Sequence, residues 1–184
     1  SDPVRASTRF LLAVLCVWTA TAAPAAAQSI DTPARHAILL DLETDTTLFA
    51  KEPDTPFPPA SMSKMMTVYL LFEQITSGAV ALDDTTTVSA DAWKKWAGSE
   101  ASLMFLREGE EVTYRELIRG IIVSSGNDAC TVVAQALAGS EDLFADWMNE
   151  KAAELGMTNS KFQNASGWPA QDQYTTARDL ALLA

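Results

Sequence analysis

The chain has 184 residues, enough for one domain of ordinary size, and its 48% hydrophobic and 20% charged content excludes wholesale disorder. A formal net charge of −11, from 13 basic and 24 acidic residues, repels phosphate backbones and argues against nucleic acid as a partner. One histidine and two cysteines are too few for the usual Cys/His zinc cluster.

Residues 1–27 read as a secretory signal peptide. Arg5 and Arg9 give a positive start, residues 10–19 (FLLAVLCVWT) a short apolar run, and Ala25-Ala26-Ala27 an A-x-A cleavage site. The run is about half of the ~20 residues that a membrane-spanning helix needs. Cleavage leaves residues 28–184, one charge more acidic, with Cys130 as the one cysteine. A lone cysteine in an exported chain forms no internal disulfide, and its apolar setting suits a small buried hydrophobe rather than a catalytic thiol.

Residues 36–42 (HAILLDL) and 48–51 flank a polar turn and predict a β-hairpin. Pro53, Pro56, Pro58 and Pro59 interrupt regular structure. From Ser61 a proline-free segment runs to Gly78 and predicts a helix of about 16 residues, apolar nearly all round and so largely buried. Residues 79–97 read as loop or a short strand. Thr113 and Glu116 form a capping box that opens a helix to about Val123. Residues 124–127 are a turn, and residues 128–138 a helix that stops at Gly139. Ser140 caps a helix ending at Gly156, residues 157–167 are irregular, and Thr176 caps a last helix. Strands followed by helices indicate an α+β fold or a helical subdomain on an incomplete sheet.

Several chemistries are excluded. His36, the one histidine, stands at the edge of the first strand without an acidic neighbour pattern, so no Ser-His-Asp triad is legible. There is no G-x-S-x-G elbow, P-loop or G-x-G-x-x-G. A serine nucleophile without histidine needs another base, and a lysine serves if its pKa falls. Ser61-Met62-Ser63-Lys64 supplies that pair, because residues three apart on a helix share a face. Met62, Met65, Met66 and Val68 would desolvate Lys64 and favour its neutral form. At the helix start, the Ser61 N–H suits a developing oxyanion. About 0.5 such tetrads are expected by chance in this composition, so the tetrad alone is weak. Ser125-Gly126-Asn127, at a turn between helices, is a second weak element. Ser125 offers a hydroxyl for proton relay, and Asn127 an amide for a substrate and for Lys64.

Taken together, PPASMSKMMT and IRGIIVSSGNDA resemble the low-molecular-mass penicillin-binding D-alanyl-D-alanine carboxypeptidases. ASLMFLREGEEVTYRELIRG, LGMTNSKFQNASGW and QYTTARDLALLA carry the likeness across residues 36–184. The resemblance implies a β-lactamase/transpeptidase-like α+β fold, mostly antiparallel sheet packed with helices. It implies Ser61 as nucleophile on the D-Ala-D-Ala bond of peptidoglycan stem peptides and Lys64 as its base. Ser125 would help to protonate the leaving D-alanine, and Asn127 would line the substrate cleft. β-Lactam antibiotics would be inhibitors that trap Ser61. Trp93 and Trp96 fall in a stretch that resembles a loop beside the family's cleft, and equally suit plain packing. No metal or other cofactor is implied. The location implied is exported and periplasmic, with inner-membrane association through a C-terminal segment outside these residues.

The family's third element, Lys-Thr-Gly, is absent from these residues. The expectation is therefore a C-terminally truncated chain, inactive and poorly stable by itself. A DD-endopeptidase, a class A-like β-lactamase and a non-catalytic wall scaffold are the alternative readings. Ser-Gly-Asn in place of Ser-Asp-Asn, and the lack of Glu-x-x-Leu-Asn, weigh against the β-lactamase.

Overall fold

Alternating apolar residues pair where the sequence predicts a hairpin. In the computed structural model, which describes residues 30–184, β1 (Ala37–Asp41) runs antiparallel to β2 (Thr46–Lys51). Ala37 faces Lys51 and Leu39 faces Phe49, with a register slip between Leu39 and Leu40. The Asp41 carboxylate closes the turn by accepting from the Glu43 N–H at 3.0 Å and the Thr44 hydroxyl at 2.8 Å. The expected signal peptide lies outside the described residues.

The proline-rich segment is extended and anchored at Phe57, which exchanges two backbone hydrogen bonds of 2.9 Å with Thr175. The segment from Ser61 departs from a uniform α-helix. Ala60–Ser63 forms a 3-10 turn, and α1 (Lys64–Thr76) continues from it. α1 buries Met66, Val68, Leu70 and Leu71, whereas Met65 and Phe72 remain exposed. The helix is largely buried, as its apolar sequence suggests, except for the strip that carries Met65 and Phe72.

Residues 79–97 hold more structure than their sequence suggested. β3 (Thr85–Thr87) pairs antiparallel with β4 (Glu111–Thr113), and α2 (Ala90–Trp96) lies between them. Ser89 caps α2 by accepting from the Ala92 N–H at 3.0 Å. A helix this short has too little apolar periodicity to be read from sequence.

The capping box forms as predicted and opens α3 (Tyr114–Ser124): the Glu116 N–H donates to Thr113 Oγ1, and the Thr113 N–H donates to Glu116 Oε2. α4 (Asn127–Ala138) follows one residue earlier than predicted, and α5 (Glu141–Glu154) is capped by Ser140. α4 is the core helix. Its residues 127–134 are all buried, and it packs against α1, α2, α3 and α5. Leu117, Val133, Phe144 and Met148 are fully buried around it. Each such side chain contributes about 1.5–3 kcal/mol of burial.

Residues 157–176 are irregular but tied down. The Asp179 carboxylate, near the start of α6 (Ala177–Leu183), accepts from the Asn159 N–H and the Ser160 hydroxyl, both at 2.8 Å. Lys161 bridges Tyr174. Among the described residues no helix is long and apolar enough to cross a membrane.

Candidate active site

Ser61 is exposed on the 3-10 turn, and Lys64 begins α1 one turn later, buried to 5% exposure. Lys64 Nζ donates to Ser61 Oγ at 3.2 Å, Asn127 Oδ1 at 2.9 Å and the Ser166 carbonyl at 2.7 Å. Ser125 Oγ donates to Ser61 Oγ at 3.0 Å. Of the four residues singled out in the sequence, Lys64 and Ser125 therefore meet at the Ser61 hydroxyl, and Asn127 joins them through Lys64.

Burial holds the Lys64 amine below its usual pKa. Its three acceptors are neutral, and no carboxylate pairs with it among the described residues. Cys130 lies close enough to interact, but burial pushes its thiol up to about 12, so at neutral pH it carries no compensating charge. Once deprotonated, the amine keeps two protons on Asn127 and Ser166 and turns its lone pair to Ser61. That is the geometry a general base requires.

Two turns create this arrangement, one that sequence reasoning missed and one that it located without its geometry. In the first, Asn164 Oδ1 accepts from the Ser166 N–H at 3.2 Å and the Gly167 N–H at 2.8 Å, which orients residues 164–167. Thr67 Oγ1 on α1 donates to the Ala165 carbonyl at 2.6 Å, and the Ser166 carbonyl is left facing Lys64. Asn164-Ala-Ser-Gly167 carries the Asx-turn signal that could have located it. In the second, Ser125 takes left-handed dihedrals (φ 52°, ψ 35°) as the C-cap of α3. That reversal turns its hydroxyl to Ser61 and starts α4 at Asn127.

Ser61, Lys64 and Ser125 open onto a groove of about 700 Å³ whose other walls include Met65, Tyr69, Phe72 and Ile122. Trp93 and Trp96 stand on α2, not on a loop. Trp96 is a packing residue, with its indole N–H donating to Thr131 Oγ1 at 2.9 Å and its ring edge-on to Trp168 at 5.3 Å. Trp93 is partly exposed and lines a separate hollow of about 370 Å³ with Phe105. His36 stacks on Phe57 at 5.1 Å and takes no part in the cluster. No group of three or more His, Cys, Asp or Glu side chains suited to a metal ion occurs among the described residues.

A serine held between a lysine and a second serine, on helices beside antiparallel strands, defines the fold class of the penicillin-binding proteins. The same architecture occurs in the Francisella tularensis D-alanyl-D-alanine carboxypeptidase DacD, with a TM-score of 0.79 and 36% identity over 84% of this chain and 36% of that one. It also occurs in penicillin binding protein 5 of Haemophilus influenzae, with a TM-score of 0.79 and 32% identity over 84% of this chain and 46% of that one. Residues 20–184 match the profile of the D-alanyl-D-alanine carboxypeptidase family, and the chain belongs to that family. The Escherichia coli D-alanyl-D-alanine carboxypeptidase DacC is 40% identical over 166 residues, which are 86% of this chain and 41% of DacC. The chain spans about two fifths of the length of such curated relatives.

Proposed function

We propose that the whole protein is a serine-type D-alanyl-D-alanine carboxypeptidase, which removes the terminal D-alanine of peptidoglycan stem peptides through an acyl-enzyme. The observation that carries this reading is the placement of Ser61 Oγ, 3.2 Å from the Lys64 amine and 3.0 Å from the Ser125 hydroxyl. Neutral Lys64 takes the Ser61 proton as Oγ attacks the penultimate carbonyl. The C–N bond then breaks, and Ser125 passes a proton to the departing amine. Water hydrolyses the ester and restores Ser61. Asn127 keeps Lys64 in place and lines the cleft. Because a β-lactam amide mimics the scissile bond, such antibiotics would acylate Ser61.

Family membership supports the substrate, and the pattern of residues 1–27 supports export to the periplasm. The test is D-alanine release from a synthetic pentapeptide ending in D-Ala-D-Ala, using the protein as naturally encoded. Release that vanishes in Ser61→Ala is expected. Cleavage of muropeptide cross-links without D-alanine release would assign an endopeptidase instead. Cell fractionation tests the location, including any association with the inner membrane.

A further inference from the structure

Asp128 follows the site asparagine and is 5% exposed, yet it has no ion-pair partner among the described residues. Among the described residues its carboxylate accepts backbone N–H groups alone. Oδ1 takes those of Met104 at 3.0 Å and Ala129 at 2.9 Å, and Oδ2 takes that of Leu106 at 3.0 Å. Two of these donors belong to the segment between α2 and β4, so the carboxylate clamps that segment to the start of α4.

The clamped segment carries Ser102, whose carbonyl accepts the Asn127 backbone N–H at 2.9 Å and Asn127 Nδ2 at 3.1 Å. The second bond fixes the amide. With Nδ2 committed to Ser102, Oδ1 points at Lys64. The opposite rotamer would set an NH2 against the Lys64 amine and a carbonyl against the Ser102 carbonyl.

The fit leaves little slack. A Cβ on Gly120 would lie 2.3 Å from Met104 Sδ, and one on Gly126 would lie 3.3 Å from the Met104 N and 3.1 Å from Asp128 Oδ1. A shift of the segment would therefore be felt at the Ser125–Asn127 turn.

We propose that Asp128 is a positioning residue. By holding Met104 and Leu106 it places the Ser102 carbonyl, and through it the Asn127 rotamer that presents Oδ1 to Lys64. This rests on the carboxypeptidase reading for its consequence in catalysis. An aspartate is needed because both oxygens must accept. An asparagine would turn an NH2 toward at least one backbone N–H.

The test uses Asp128→Asn, Asn127→Ala and the double variant of the protein as naturally encoded. It has two readouts: the rate of acylation by a fluorescent penicillin, and NMR exchange of the Asn127 side-chain amide protons. Asp128→Asn should slow acylation about tenfold, the equivalent of one buried donor left unpaired. It should add almost nothing in the Asn127→Ala background, since the two residues act in series. The Asn127 amide protons should exchange faster in Asp128→Asn than in the unsubstituted protein. Additive effects in the cycle, or unchanged amide exchange, would overturn the proposal. A protein that penicillin never acylates would defeat the carboxypeptidase reading, and amide exchange would then judge Asp128 alone. If Asp128→Asn does not fold, Asp128→Ser keeps one acceptor and is read in the same way.

Discussion

A Cβ placed on Gly167 would lie 1.7 Å from the Ala60 carbonyl oxygen, so the turn that faces Lys64 touches the backbone just before Ser61. Gly167 also has φ +77°, where a side chain is strained even in open space. Gly167→Ala should therefore destabilise the fold by about 2–4 kcal/mol and abolish acylation. Thermal unfolding and penicillin labelling check the two effects separately.

Lys64 gives a pH dependence of definite sign. Burial lowers its pKa from the ordinary 10.5, so the folded state disfavours the ammonium. Folding then releases a proton between the lowered value and 10.5, and stability rises with pH across that window. Below the lowered pKa the cost of burying the charge is present in full. The unfolding midpoint of the unsubstituted protein should accordingly gain on that of Lys64→Met as pH climbs through the window. Acylation should rise with pH along the same titration. Lys64→Arg, which stays charged, should lose about 10²–10⁴ in rate.

Ser125 separates a hydroxyl from a backbone shape. Its left-handed φ of 52° favours glycine, so Ser125→Gly should keep or slightly raise stability. Losing the hydroxyl should still slow turnover by about 10²-fold. Ser125→Ala should show the same kinetic loss with lower stability. Steady-state D-alanine release beside a melting curve distinguishes them.

Ser63 is the contrast within the tetrad. It is fully buried, and its Oγ has no hydrogen-bond partner among the described residues. Ser63→Ala removes that unpaired group and should stabilise the fold by about 1 kcal/mol, with acylation unchanged. Chemical denaturation measures the gain. A loss of acylation would show that this hydroxyl has a role in the reaction.

The residues proposed to react were more legible than the residues that place them. Ser61, Lys64, Ser125 and Asn127 were readable because two short local patterns bring chemically complementary side chains to helix ends. The hairpin, the capping box and the helices after Gly126 were readable because periodicity and caps are local as well. The Ser166 and Ser102 carbonyls were not, since a backbone acceptor leaves no mark in residue type. They meet Lys64 and Asn127 from 102 and 25 residues away. α2 was missed because seven residues carry little pattern. The exposed strip of α1 that carries Met65 and Phe72 was not legible, because an apolar side chain does not reveal which neighbours reach it.

Mass spectrometry of the naturally encoded protein after incubation with benzylpenicillin tests the role proposed for Ser61 as nucleophile. One adduct of the antibiotic's mass is expected on the peptide that contains Ser61, absent in Ser61→Ala and retained in Ser63→Ala. An adduct that survives Ser61→Ala, or one mapped to another residue, would contradict it.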